Sequence, residues 1–136
     1  MSRIIFFLSA LIAIVTRIGA EDSYRLPNNT QPELYTIKLV FGDFENDLSF
    51  KGESFIKIKI IEETSVITLH SAVNVDETRS RLCLNMDSLN CMAIPIQIET
   101  DNTREFLHLK LQSGISLKPN ENFYLNLVFT GTINTL

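Results

Sequence analysis

From Leu34 onward the sequence keeps a period of two, and that restricts its folds more than any other feature. In Tyr35 to Phe41, Ile37, Leu39 and Phe41 share one face while Thr36 and Lys38 take the other. In Phe50 to Ile61, Phe50, Ile56, Ile58 and Ile60 oppose Lys51, Lys57 and Lys59. Thr64 to Val75 holds two short β-branched pieces separated by Ser71-Ala72. Ile94, Ile96 and Ile98 alternate with Pro95, Gln97 and Glu99, and Leu107, Leu109 and Leu111 with His108 and Lys110. Phe123, Leu125, Leu127 and Phe129 alternate with Tyr124, Asn126 and Val128. No segment after Ala20 carries a long helical period, and no repeat or linker marks a second domain.

Strands that alternate this cleanly bury one face and wet the other, which predicts an antiparallel sheet over a core. Turn signals separate them at Gly42 to Asp47, Asp101 to Thr103 and Pro119 to Asn122. Several short strands with such signals predict an all-β fold, an antiparallel β-sandwich or a barrel. Pro95 cannot donate to a ladder, so its strand belongs at an edge or carries a bulge.

The first twenty residues read as an address. Met1-Ser2-Arg3 is a short positive start, Ile4 to Val15 is apolar apart from Ser9, and Ile18-Gly19-Ala20 brings small residues before the polar stretch from Glu21. This is the order of a cleavable secretory signal helix, with the cut between Ala20 and Glu21. A buried N-terminal helix is the alternative. The apolar run is well short of the roughly 20 residues that a spanning helix needs. Residues 1–20 are then the signal peptide and residues 21–136 one β-domain. Loss of Arg3 and Arg17 moves the formal charge from −4 to −6.

Export puts Cys83 and Cys91 where disulfides persist. They flank Leu84 to Asn90, a loop-like stretch that a bridge would close. Their spacing lacks the close pairing of zinc ribbons. Export also gives meaning to the single sequon, Asn28-Asn29-Thr30, which makes Asn28 a candidate glycan acceptor. No second apolar run lies near Leu136, so a C-terminal anchor is not expected.

With 12 Lys+Arg against 16 Asp+Glu, nucleic acid is not an expected partner, because phosphate binding requires clustered cations. Apolar residues at 45% and only 5 Gly and 4 Pro exclude a disordered or collagen-like chain. His70 and His108 are the only histidines, and neither has a second His four residues on. There is no G-x-S-x-G elbow and no phosphate loop. Asp43 to Asp47 has the acidity of a calcium loop but Leu48 where that loop uses glycine. It reads as a hairpin turn. Lys51, Lys57 and Lys59 read as a solvated strand face.

Four segments in order resemble the opening of the aminopeptidase N family of zinc metallopeptidases. Tyr24-Arg25-Leu26-Pro27, then Pro32, Tyr35, Ile37 and Leu39, is similar to the family's Y-R-L-P, P-x-x-Y and alternating strand. Phe50-Lys51-Gly52-Glu53 resembles its F-x-G strand opening, and Ile67-Thr68-Leu69-His70-Ser71 its I-x-L-H-S segment. Leu125 to Ile133 resembles the strand and turn written L-x-I-x-F-x-G-x-L. The resemblance runs from Tyr24 to Leu136. It implies the family's N-terminal β-sandwich, which caps a catalytic domain and adds to its substrate cleft. The family's G-x-M-E-N loop, H-E-x-x-H helix, second glutamate ligand and catalytic tyrosine have no counterpart here. No catalytic or metal residue carries over, no cofactor is expected in this chain, and the zinc belongs to the family's catalytic domain.

Two expectations follow from the resemblance. One is a non-catalytic domain, incomplete at Leu136, of a secreted or cell-surface aminopeptidase whose partner is its own catalytic domain. The other is a stand-alone secreted module that binds an extracellular protein or glycan, with exposed Phe55 and Ile61 suiting either. A half-built sheet would also leave a strand edge unpaired, which invites aggregation, so residues 21–136 alone are expected to be marginal or to aggregate if the domain is incomplete.

Overall fold

The computed structural model describes residues 24–43, 48–84 and 91–133. Its strands are β1 (Thr30–Phe41), β2 (Ser49–Ile60), β3 (Val66–His70), β4 (Asn74–Val75), β5 (Arg81–Cys83), β6 (Ala93–Ile94), β7 (Ile96–Asp101), β8 (Phe106–Leu111) and β9 (Asn122–Thr132). All pairings are antiparallel. The larger sheet runs β1-β2-β9-β5-β6, with β4 beside β5 on the same edge of β9, and the smaller runs β3-β8-β7. The all-β expectation holds for the described residues. The expected signal helix and the Ala20–Glu21 cleavage lie outside them.

The alternation explains the layering. On β2, Ile56, Ile58 and Ile60 are buried while Lys51 is exposed. On β9, Phe123, Leu125 and Leu127 are buried in the matching phase, opposite Ile58, Ile56 and Ser54. The smaller sheet answers with Ile67, Ile98, Leu107, Leu109 and Leu111. Leu82 of β5 and Leu117 close the same cluster. Two antiparallel sheets therefore share one core, in a sandwich-like arrangement.

Pro95 marks a corner. The sequence reads Ile94, Ile96 and Ile98 as one strand, at an edge or with a bulge at Pro95, yet β6 pairs with β5 in the larger sheet and β7 with β8 in the smaller. The chain changes sheets at the residue that has no N–H to give a ladder. The strand β5 is not visible in the sequence, because three residues are too few to show a period. Between β4 and β5 the ladder on β9 is completed by side chains and a turn: Ser80 Oγ accepts from Val128 N–H at 3.1 Å, and Asp76 N–H donates to Val128 C=O at 2.8 Å.

The expected bridge is present. Cys83 and Cys91 form a disulfide with Cα atoms 5.4 Å apart. It staples the β5–β6 hairpin, whose ladder contains only two residue pairs.

Candidate functional site

One strand departs from the rest. Every residue of β1 from Gln31 to Phe41 is exposed, and none belongs to the buried core. Its register with β2 is continuous from Leu34 to Phe41, so its apolar face lies on the core side of the larger sheet: Tyr35 opposes Ile56, Ile37 opposes Ser54, Leu39 opposes Gly52. The smaller sheet covers β2 and β9 but not β1. Alternation tells which side of β1 faces inward, and among the described residues no other strand roofs that side.

The unroofed strip forms one wall of a trough of about 470 Å3. Tyr35 and Ile37 face Leu69, Leu107, Leu127 and Phe129 across it, and Ser71 to Val73 form its rim. The four segments that carry the family resemblance lie on β1, β2, β3 and β9, and three of them line this trough directly. A second hollow of about 450 Å3 lies behind the rim and is polar, with Asn74, Thr100, Asn102 and Glu105.

The fourth segment, Phe50-Lys51-Gly52, has a packing role that only the register reveals. Gly52 lies opposite Phe129 and Gly131 opposite Phe50. A Cβ on Gly52 would sit 2.2 Å from the Phe129 ring, and one on Gly131 2.3 Å from the Phe50 ring. Each phenyl ring lies over the glycine across the ladder, and the rings meet edge to face at 6.4 Å. Gly52→Ala is expected to push the Phe129 ring off its seat and destabilise the domain by about 1–3 kcal/mol. Urea titration checks this, with Ser54→Ala as the neighbouring comparison that inserts no new atom beneath a ring.

The histidines form no catalytic pair. His108 Nδ1 lies 3.1 Å from Thr68 Oγ1 on the outer face of the smaller sheet. His70 is exposed at the end of β3, its ring 4.9 Å from Phe106. No three His, Cys, Asp or Glu side chains converge among the described residues. Of the acidic Asp43–Asp47 turn, residues 44–47 lie outside the described part.

Asn28 is exposed in the turn before β1, while its neighbour Asn29 is tied down. Asn29 C=O accepts from Ile61 and Glu62 N–H, and its Nδ2 donates to Thr64 Oγ1 at 2.9 Å. The sequon thus presents its acceptor to solvent on a braced turn. In a glycosylating host, Asn28→Gln is expected to abolish a single endoglycosidase-sensitive mass increment, read by mass spectrometry.

Carboxylates brace the remaining turns. Asp76 accepts from the Thr78 hydroxyl at 2.7 Å and from Thr78 and Arg79 N–H, and these bonds hold its pKa below the ordinary value. Arg104 does the same for Asp101, through its side chain at 2.7 Å and its N–H. Lys57 lowers Glu33 across the β1–β2 ladder at 2.6 Å, and Lys118, helped by Ser116, lowers Glu63. Because the folded values lie below the unfolded ones, this stabilisation is complete above about pH 5, beyond the unfolded values, and is lost as pH falls through the folded ones. The urea midpoint should therefore be level near neutrality and fall in acid. A midpoint that rises below pH 4 would contradict the assignment.

The chain matches no protein-family model, and a search of curated proteins finds no match.

Proposed function

We propose that this chain is a non-catalytic N-terminal β-domain of a secreted or membrane-anchored zinc aminopeptidase, which releases N-terminal amino acids from peptides. The observation that carries the reading is the convergence of the resembling segments. Tyr24 to Leu39, Ile67 to Ser71 and Leu125 to Ile133 are far apart in sequence, yet they meet around one trough. Phe50-Lys51-Gly52 and Phe129-Thr130-Gly131 are paired by register. Residues that a family keeps in order have a physical reason to do so when they pack together.

In this reading the domain supplies shape and not chemistry. Zinc-activated water, the ligands and the amino-group loop belong to the catalytic domain. Phe55 and Ile61, which are 36% and 41% exposed, offer apolar surface for that domain to cover.

The second reading is a stand-alone secreted module that binds an extracellular protein or glycan. The self-contained core, shared by both sheets and stapled at β5–β6, favours it.

Immunocapture with an antibody to residues 24–133 distinguishes the two. The enzyme-domain reading expects captured native material to release amino acids from peptide N-termini, with loss of activity on chelation and recovery on zinc addition. Captured material with no such activity would overturn it.

A further inference from the structure

We propose that β1 is a homodimerisation strand: two copies of this chain pair β1 with β1 in antiparallel fashion about a two-fold axis at Ile37, joining their larger sheets into one. The inference does not rest on the aminopeptidase reading.

The ladder supplies the first argument. Gly42 N–H donates to Ser49 C=O at 3.0 Å, so Gly42 and Ser49 form a hydrogen-bonded pair. Antiparallel ladders alternate, which directs the backbone groups of Thr36, Lys38 and Val40 toward β2 and those of Tyr35, Ile37 and Leu39 outward. Only β2 neighbours β1 among the described strands. The outward N–H and C=O groups therefore belong to the same residues whose apolar side chains lie uncovered on the core side.

The side chains select the partner. Antiparallel pairing centred on Ile37 places Tyr35 opposite Leu39′ and Leu34 opposite Val40′, so apolar meets apolar on both faces of the joined sheet. Thr36 then lies opposite Lys38′. Sliding the centre to Lys38 would set two ammonium groups opposite each other, which is unfavourable. Sliding it to Thr36 would set Leu34 against Lys38′ as well as Leu39 against Glu33′. Of these three centres, Ile37 leaves the fewest mismatches, only Glu33 opposite Phe41′ at the end of the paired stretch.

Area is consistent with a stable pair. Leu34, Tyr35, Ile37, Leu39 and Val40 are 44–59% exposed. Together they present roughly 500 Å2 of mostly apolar surface, divided between the two faces of the strand. With the intervening backbone this approaches the about 800 Å2 per partner of a standard interface.

The edge is also guarded against longer association. Pro32 has no N–H, the register shifts between Pro32 and Leu34, and Glu33 is held by Lys57. Pairing is thereby confined to the Ile37 stretch. The opposite edge of the larger sheet is the two-residue β6 beside the disulfide. One usable edge on this sheet gives a closed two-fold pair and not a ribbon.

The test uses the full chain, produced by secretion and examined by sedimentation velocity from low to high micromolar concentration. The expected result is a monomer–dimer equilibrium that Ile37→Lys weakens at least tenfold, since it sets two charges across the axis, without altering the circular dichroism. Ile37→Cys is expected to form an intermolecular disulfide under mild oxidation, because residues in such a pair have Cα atoms about 5.5 Å apart, within disulfide reach. Thr36→Cys, facing Lys38′, should not self-couple. A monomer at every concentration, a dimer unaffected by Ile37→Lys, species larger than a dimer, or Thr36→Cys coupling faster than Ile37→Cys would each overturn the proposal.

Discussion

Leu125→Ala is expected to lower the unfolding free energy by about 2–5 kcal/mol, as truncation of a fully buried leucine does. Leu125 is 0% exposed on β9, between Ile56 of β2 and Leu82 of β5. Its side chain faces the smaller sheet, so the cavity would open where the two sheets meet. Neither backbone can collapse into it without breaking a ladder. For a domain of this size the melting temperature should fall by roughly 10–20 °C. Ile37→Ala is the informative comparison. Ile37 is an aliphatic residue of the same size on the inner face of the same sheet, but it is 59% exposed on β1. It should change the stability of the monomer by less than about 0.5 kcal/mol, as surface substitutions do. Differential scanning calorimetry on both variants separates a strand that builds the core from one that only borders it. Similar losses at the two positions would mean that β1 is roofed after all.

Removing the disulfide should have the next largest effect. The Cys83→Ala, Cys91→Ala double variant is expected to lose about 2–3 kcal/mol by release of a short closed loop in the unfolded chain. The loss should be local in its origin. The β5–β6 ladder pairs only Leu82 with Ile94 and Cys83 with Ala93. Without the bridge, β6 would fray first, and the corner at Pro95 would loosen the start of β7. Hydrogen exchange should report early opening at Leu84, whose N–H donates to Met92 C=O at 3.3 Å, before any change at β2 or β8. Uniform loss of protection across both sheets would contradict that order.

Much of the fold is legible in the sequence, and the limits have physical causes. The alternation of Ile56, Ile58 and Ile60 with lysines defines β2 and its buried face, and Phe123 to Leu127 does the same for β9. The Asp101 turn and the break at Ser71-Ala72 fall where the turn residues put them. The alternation through Ile94, Ile96 and Ile98 misleads, because the phase continues across Pro95 while the hydrogen-bond partner changes. Arg81 to Cys83 cannot be read as a strand, since its identity comes from β9 and not from its own pattern.

The candidate site was less legible. Periodicity assigns Ile37, Leu39 and Phe41 to one face, but it does not say whether another layer covers them. That depends on how far the smaller sheet extends. The reciprocal Phe–Gly seats are likewise invisible until β2 and β9 are placed in register, since Phe50 and Gly131 are distant in the chain.

The measurement that bears most directly on the proposed function is the intact mass of the endogenous protein, captured by antibody, deglycosylated and analysed by top-down mass spectrometry. The enzyme-domain account predicts a species several-fold heavier than the 15.5 kDa of these 136 residues, beginning at Glu21 and carrying the Cys83–Cys91 bridge. A species lighter than 15.5 kDa, comprising residues 21–136 alone with both sulfurs oxidised, would contradict it and establish a short secreted module instead.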